Sequence, residues 1–244
     1  MTFYVLIFGL VVGSFLNVVI YRIPIGRSII RPRSSCPGCG YVLRWFNLIP
    51  VISYIFQKGR CTVCRAGISP HYPVVEILTG LIFLAVYAKY GLTWQTASYL
   101  TLSALVIATG FIDLEHKIIP NEITLAGIIL GLVFITQTGL ISNIEGFLTG
   151  GIVFLAIAVI SKGNMGGGDI KLAAVMGLFL GIKLLLVALF AAFLLGSVVG
   201  VTLLLVGVVK RKDPFPFGPF LTIGSLISIL CGQNIIDWYL NRLI

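Results

Sequence analysis

The sequence predicts an all-α polytopic membrane protein with about eight transmembrane helices and one long cytoplasmic loop that carries four cysteines. Of the 244 residues, 58% are hydrophobic and only 10% are charged. The mean hydropathy of +1.08 lies far above the range of soluble domains. The apolar stretches run to roughly 17–25 residues, the length of a helix that spans a bilayer, and they lack the alternation of barrel strands. The fold is therefore predicted to be a helical bundle.

Eight apolar spans follow one another along the chain. They cover residues 3–21, 74–90, 95–112, 122–138, 144–160, 170–182, 184–209 and 218–240. The division between the sixth and seventh spans depends on Gly181 and Lys183, the only interruptions there. The first span follows the initiator methionine at once and ends in YRIP, so we expect a membrane span and not a cleaved signal peptide.

The net charge of +9 is distributed unevenly over the loops. Fourteen of the 17 basic residues fall on one side of the predicted spans: Arg22, Arg27, Arg31, Arg33, Arg44, Lys58, Arg60, Arg65, Lys117, Lys162, Lys171, Lys210, Arg211 and Lys212. Because basic loops stay in the cytoplasm, both termini are predicted to lie outside. The predicted cytoplasmic loops are 22–73, 111–121, 161–169 and 210–217. The surplus thus reflects topology, with attraction to lipid headgroups as a second effect, and nucleic-acid binding is not expected.

The one long loop contains CPGC (Cys36, Cys39) and CTVC (Cys61, Cys64), with 21 residues between the pairs. Two such pairs form the tetrahedral four-thiolate site typical of structural zinc. Two disulfides or four free thiols are the alternatives, and a cytoplasmic position disfavours disulfides because thiols stay reduced there. Four thiolates leave no open coordination position, so zinc is expected to fold the loop and not to act in catalysis.

Two of the eight acidic residues lie at predicted cytoplasmic helix ends. Asp113 ends the third span in FIDLEHKIIPNE, and Asp169 begins the sixth in GGGDIKL. Under the predicted topology both lie at the same membrane depth, so helix packing can bring them together although 56 positions separate them. Two carboxylates in a partly dehydrated pocket share a proton, and one then acts as base and the other as acid towards water. The pair is therefore predicted to be an aspartic protease dyad.

Three glycines, Gly166, Gly167 and Gly168, precede the second acid. Without side chains they let the backbone turn sharply and let a substrate peptide or a facing helix approach. Each acid also has an ordinary structural explanation. Asp169 could cap its helix at the N-terminus, and Asp113 could be a solvated charge at a helix end.

Several motifs together resemble those of the bacterial type IV prepilin peptidases, which are bifunctional membrane aspartic proteases with a Gly-x-Gly-Asp motif. VGSFLNVVIYRIP is similar to the family's N-terminal signature, and the CxxC pairs are similar to its cytoplasmic cysteine motif. HYPVVEILTG is similar to the segment that follows, and GFIDLEHKIIPNEIT, GGGDIKLAAVMGLFLG and PFPFGPFLTIG resemble the two catalytic segments and the closing one. The resemblance covers nearly the whole chain. One departure is Asn121, where many relatives carry an aspartate.

The resemblance implies a function, a location and a domain organisation. Asp113 and Asp169 would activate water to cut the short basic leader of type IV prepilins and pilin-like secretion proteins at the cytoplasmic face of the bacterial inner membrane. Family members usually then methylate the new amino terminus, with S-adenosylmethionine as donor. Residues 1–73 would form a methyltransferase-associated region that holds zinc, and residues 74–244 the peptidase bundle. The expected partners are prepilin and pseudopilin precursors and membrane lipids.

The methyl-donor site has no recognisable motif, since no Gly-x-Gly-x-x-Gly follows a strand. Asn17, Arg22 and Glu76 are candidate cofactor ligands, because polar groups in apolar spans are costly in lipid and should face the bundle or a pocket. An Arg22–Glu76 pair, or an interhelical hydrogen bond from Asn17, is the structural alternative. Gly13 and Ser14 are predicted to permit close helix packing.

Three other functions are compatible with parts of this pattern. A leader peptidase without methylation is one, although related preflagellin peptidases generally lack the cysteine loop. A proton- or ion-coupled transporter could use Asp113 and Asp169 as a relay, but transporters tend to place such acids near the midplane and in paired repeats. A zinc-organised scaffold without chemistry would leave the two acids unexplained.

Overall fold

The protein is mostly helical, as the composition predicts. The computed structural model describes residues 1–135, 139–161, 165–208 and 215–243. Its α-helices are α1 (Thr2–Arg22), α2 (Ile52–Phe56), α3 (His71–Tyr90), α4 (Trp94–His116), α5 (Asn121–Phe134), α6 (Leu140–Ile160), α7 (Gly167–Leu205) and α8 (Gly218–Leu243). Parts of the predicted loops 161–169 and 210–217 lie outside the described residues, and with them Lys162, Lys210, Arg211 and Lys212.

Within the described ranges, six helices are long and apolar enough to cross a membrane: α1, α3, α4, α6, α7 and α8. The chain is therefore a multi-pass membrane protein. The predicted span 122–138 corresponds to α5, which has only 14 residues. The predicted span 170–182 lies within α7, whereas 184–209 extends past the end of α7 at Leu205 to residue 209, which lies outside the described residues. For these two reasons the prediction of eight crossings is not confirmed, and it stays a prediction.

Helix α7 is 39 residues long and is interrupted at Gly181. An uninterrupted helix of that length would measure about 58 Å, roughly twice the thickness of the hydrocarbon core. The backbone of Gly181 has φ 69° and ψ 170°, which is not helical and which favours a residue without a side chain. The break lies where the sequence placed the division between the sixth and seventh spans.

The chain divides into two compact units, Met1–Ala88 and Lys89–Ile244. In the first unit, α1 and α3 approach closely through glycine. A Cβ on Gly9 would lie 2.8 Å from the Cα of Gly80, and one on Gly13 would lie 2.7 Å from the Cα of Glu76. Such contacts between small residues are a common basis of helix association in membranes. Gly13 therefore has the packing role that was expected of it.

The second unit is a bundle of α4 to α8 in which α7 contacts each of the other four helices. Gly177 of α7 lies directly against the backbone of Gly146 in α6, so neither position has space for a side chain. Thr222 of α8 donates a 2.6 Å hydrogen bond to the carbonyl of Val106 in α4. These close contacts pack α6 against α7 and α8 against α4 within the second unit.

Candidate active site and cysteine cluster

Asp113 lies in the last turn of α4 and is only 6% exposed. The helix ends three residues later, where Lys117 adopts a left-handed conformation with φ 56° and donates its N–H to the Asp113 carbonyl. The carboxylate oxygen Oδ2 accepts a 2.7 Å hydrogen bond from the N–H of Gly218, the first residue of α8. The buried Asp113 carboxylate thus lies at the N-terminus of the next helix, α8, where negative charge is favoured. The alternative of a solvated charge is wrong.

Gly218 is a site residue that the sequence motifs did not single out. A Cβ at this position would lie 2.8 Å from Oδ2 of Asp113, so a larger residue would displace the carboxylate. The signal in the sequence was a Gly-Pro pair at the start of an apolar span, in the motif PFPFGPFLTIG. That pair marks a helix start in general, but it does not say which side chain the free N–H will meet.

Asp169 is the third residue of α7, and Gly166 occupies the N-cap position. The Asp169 carboxylate accepts the backbone N–H of Gly166, and its own N–H bonds back to the Gly166 carbonyl at 3.1 Å. Asp169 is therefore not the N-cap, contrary to the structural alternative, because the glycine before it takes that place. Its oxygen Oδ1 is buried and has no hydrogen-bond partner among the described residues.

The structure brings the two acids together although they are 56 positions apart. The Asp113 carboxylate is close enough to Asp169 for its charge to act on the Asp169 carboxyl group. A buried carboxyl oxygen without a partner is costly unless a donor reaches it. The arrangement can therefore hold a polar hydrogen donor, such as water, between the oriented Asp113 carboxylate and the unpartnered Oδ1 of Asp169.

The three glycines before Asp169 have different surroundings. A Cβ on Gly168 would lie 2.7 Å from the Cβ of Ile119, in the connection between α4 and α5. Among the described residues, apart from its chain neighbours and the backbone of its own helix, nothing lies within 4 Å of such a Cβ on Gly167. The close approach expected at these glycines thus occurs at Gly168, where the facing element is the α4–α5 connection.

A second contact joins the same two segments. The Lys171 ammonium, two residues after Asp169, donates a 2.7 Å hydrogen bond to the side-chain oxygen of Asn121. Asn121 is the first residue of α5 and was noted in the sequence only as a departure from its relatives. The hydrogen bond ties the first turn of α7 to the start of α5, beside the Gly168–Ile119 contact.

The four loop cysteines converge on one point. Their sulfur atoms all lie within 4.8 Å of one another, and the Sγ atoms of Cys36 and Cys64 are 3.7 Å apart. Tetrahedral zinc with Zn–S bonds of about 2.3 Å needs sulfur atoms about 3.8 Å apart. All four thiols are free, so the alternative of two disulfides is not what the structure contains. The donor set therefore fits a closed zinc site.

The two halves of this cluster have the same backbone design. Cys36 N–H bonds to the Tyr41 carbonyl, and Cys61 N–H bonds in the same way to the Ala66 carbonyl. In the second half, backbone N–H groups of Cys64 and Val63 lower the pKa of the Cys61 thiol to about 6. A thiol that ionises so readily is suited to bind a metal ion as thiolate.

For Cys39, the Tyr41 N–H favours the thiolate, but burial and the neighbouring cysteine sulfurs outweigh it and raise the pKa to about 11. The pKa values of Cys39 and Cys61 thus differ because the hydrogen bonds that reach the two thiols differ.

The three candidate ligands of the methyl donor form hydrogen bonds with other residues of the first unit. Asn17 donates a 3.0 Å hydrogen bond to the Tyr72 carbonyl, so the alternative of an interhelical bond is correct for this residue. Arg22 donates to the Ser28 carbonyl at 3.0 Å and does not pair with Glu76.

The buried Glu76 carboxylate accepts a 2.7 Å hydrogen bond from the Val51 N–H and a second one from the Ser14 hydroxyl. Val51 has φ 60°, which is strained for a β-branched residue. Glu76 thus fixes a strained turn at the start of α2 while it accepts hydrogen bonds from two donors.

Comparison with known proteins gives consistent matches along the chain. Residues 7–90 match the bacterial peptidase A24 N-terminal domain, and residues 99–201 match the type IV leader peptidase family. A Bacillus subtilis (strain 168) protein is 39% identical over 242 residues, which cover 96% of each chain. Proteins of Aeromonas hydrophila and Neisseria gonorrhoeae are each 34% identical, over 98% and 97% of this chain and 93% of their own. All three are named prepilin leader peptidase/N-methyltransferase.

These names agree with the function that the motifs imply, and they do not favour a transporter or a peptidase without methylation. No solved structure gives a significant match to the chain.

Proposed function

The chain belongs to the type IV leader peptidase family, and from this membership we propose that it cleaves the leader of prepilins and pilin-like secretion proteins and N-methylates the new amino terminus. The observation that carries the peptidase part is the buried pair Asp113 and Asp169, with Oδ1 of Asp169 unpartnered in the part of the chain described. Cleavage takes place at the cytoplasmic face of the inner membrane.

The two acids have unequal roles in this proposal. The Gly218 N–H stabilises the ionised form of Asp113 and fixes its orientation, so Asp113 is the base that takes a proton from water. The resulting hydroxide attacks the scissile carbonyl carbon. Asp169 holds the shared proton, because repulsion disfavours two charges at this distance, and gives it to the leaving amide nitrogen. The peptide C–N bond then breaks to give an acid and an amine.

Substrate access fits the surroundings of the second acid. A helical peptide bond is protected by its own hydrogen bonds, so the leader junction must be extended at the site. The open side of Gly167 lies two residues before Asp169 and leaves space for an extended backbone. The hydrogen bond from Lys171 to Asn121 holds the first turn of α7 in place while the peptide approaches.

We place the methyl transfer in the N-terminal part of the chain, residues 1–73, and the peptidase in residues 74–244. S-adenosylmethionine is the proposed donor and would supply an electrophilic methyl group. Asn17, Arg22 and Glu76 remain the proposed candidate ligands, and each also makes a hydrogen bond within the first unit. These bonds shape that unit, and no transfer step is derived from them.

The metal and the topology complete the proposal. Cys36, Cys39, Cys61 and Cys64 hold a structural zinc ion that folds the loop, as the mutual distances of their sulfur atoms support. The chain crosses the membrane about eight times, with both termini outside. The break at Gly181 supports two crossings within α7.

One measurement tests both activities. A synthetic prepilin is incubated with the purified protein, with and without S-adenosylmethionine, and the products are read by mass spectrometry. We expect leader loss in both samples and an added methyl group only with the donor. An intact leader would refute the peptidase, and cleavage without a methyl group at saturating donor would leave a leader peptidase alone.

A further inference from the structure

The cysteine loop carries a large positive charge and contains no acidic residue. Residues 1–75 contain no aspartate or glutamate, and the loop 22–73 contains eight lysines and arginines. Four thiolates around one zinc ion would contribute two negative charges, so the loop stays strongly positive even with the metal bound. Such a segment needs anionic groups from outside its own sequence.

Three of these cations converge on one pocket. Lys58, Arg60 and Arg65 line a cavity of about 550 Å³ together with the aromatic rings of Phe46 and Phe56. The three side chains are exposed, and no acid in the described ranges pairs with any of them.

Their backbone is ordered by short-range hydrogen bonds. Lys58 follows the end of α2, where its N–H bonds to the Ile55 carbonyl, and Arg65 ends the second cysteine turn, where its N–H bonds to the Cys61 carbonyl. Lys58 and Arg65 are thus presented to the pocket from hydrogen-bonded turns.

Exposed apolar side chains adjoin the residues that line the pocket. Phe56 lines it and Ile55 precedes Phe56 in α2, while the ring of Trp45 lies 5.8 Å from that of Phe46, a second lining residue. Trp45, Ile55 and Phe56 are 78%, 65% and 83% exposed. Exposed apolar side chains beside lysine and arginine are typical of segments that lie in a membrane interface, and tryptophan prefers the depth of the headgroups.

The positive charge and the exposed apolar side chains of this pocket disfavour three other candidate ligands. S-adenosylmethionine has a sulfonium and an ammonium group against one carboxylate, so three cations would repel it. A basic leader peptide would be repelled for the same reason. Nucleic acid would satisfy the cations, but its backbone would leave Ile55 and Phe56 in water.

We propose that the pocket lined by Lys58, Arg60 and Arg65 binds the phosphate headgroup of an anionic phospholipid, while Trp45 and α2 insert their apolar side chains beside it. The cations supply charge-assisted hydrogen bonds to phosphate oxygens. Lipid chains then cover these apolar side chains, and the cysteine loop is thereby held on the membrane surface. The proposal does not depend on the peptidase activity.

Quenching of Trp45 fluorescence tests this binding. The full chain with Trp94→Phe and Trp238→Phe, so that Trp45 is the remaining tryptophan, is placed in lipid nanodiscs. These contain increasing fractions of brominated phosphatidylglycerol or brominated phosphatidylcholine. We expect a clear preference for quenching by the anionic lipid. The triple variant Lys58→Gln, Arg60→Gln, Arg65→Gln should lose it, by about fivefold for each cation removed.

A matched control removes three charges elsewhere in the same loop: Arg27→Gln, Arg31→Gln, Arg33→Gln. These residues are exposed and do not line the pocket, so the control should keep most of the preference. The exchange Lys58→Arg, Arg60→Lys, Arg65→Lys should also keep it, and zinc content reports that each variant is folded.

Three results would overturn the proposal. Equal quenching by the two lipids would remove the anionic site. Equal losses in both triple variants would mean a diffuse attraction and no pocket. Relief of quenching by S-adenosylmethionine would assign the pocket to the methyl donor.

Discussion

The N–H of Gly218 donates a 2.7 Å hydrogen bond to Oδ2 of Asp113, across 105 positions of sequence. It joins the first residue of α8 to the last turn of α4. Because this bond orients one acid while Oδ1 of Asp169 is left without a partner among the described residues, the two carboxyl groups differ in chemistry. The roles of base and acid proposed above follow from this difference.

Replacing Gly218 by alanine should strongly reduce leader cleavage. The backbone N–H would remain, but the new Cβ would lie 2.8 Å from Oδ2 and would push the carboxylate aside. A displacement of about 1 Å at a reacting group costs on the order of 100-fold in rate. The kcat for a prepilin peptide measures the effect. KM should change little, because Gly218 contacts the Asp113 carboxylate and is not proposed to contact the substrate.

The matched control is Gly151→Ala in α6. Among the described residues outside its own helix, a Cβ there would have Ala174 as its one neighbour within 4 Å, at an ordinary 3.8 Å, so the variant should cleave normally. If Gly218→Ala cleaved as fast as Gly151→Ala, the contact with Asp113 would have no part in catalysis.

Asp113→Asn and Asp169→Asn should each abolish cleavage, while methylation of a pre-cut peptide persists. Asparagine keeps the size of the side chain but cannot take or give the proton, and such a loss amounts to about 10²- to 10⁴-fold. The two activities are read separately by mass spectrometry of an intact and a pre-cut substrate.

Asp237→Asn provides the comparison for these two variants. Asp237 is an exposed acid near the end of α8, where it accepts a hydrogen bond from Gln233. Its replacement should leave both activities unchanged. Cleavage by either the Asp113 or the Asp169 variant at the rate of the Asp237 variant would remove that residue from the dyad.

The hydrogen bond between Lys171 and Asn121 should hold Asp169 in position, and neither residue takes part in the proton transfers. Asn121→Ala should lower kcat by about threefold to tenfold, the effect of one lost hydrogen bond. Asn121→Asp should retain the rate, because a carboxylate also accepts from the Lys171 ammonium. Loss of activity in the aspartate variant, with a normal alanine variant, would contradict a positioning role.

The sequence predicted those parts of the structure that depend on local pattern. The apolar spans marked the helices to within a few residues, and the interruption at Gly181 marked the break in α7 because only glycine adopts that backbone easily. The two CxxC pairs predicted the sulfur cluster because their spacing alone brings each pair to one metal edge.

Contacts between distant segments could not be predicted in this way. The bond from Gly218 to Asp113 depends on how α8 packs against α4, and no periodicity in either helix encodes it. The N-cap of α7 was ambiguous because glycine and aspartate are both good caps, and Gly166 takes the position. The engagement of Glu76 by Val51 N–H depends on a strained turn, which no residue pattern announces.

Cys36→Ser should remove the metal from the cysteine cluster. Three remaining thiolates leave one position of the tetrahedron open, so zinc should fall from about one equivalent to a small fraction after dialysis against a chelator. Cys231→Ser is the control, because Cys231 lies on α8 and is not part of the cluster.

Elemental analysis of the purified proteins measures zinc. Prepilin cleavage should survive in both variants, because Asp113 and Asp169 belong to the other unit. Native protein with less than about one-tenth of an equivalent would refute the zinc assignment.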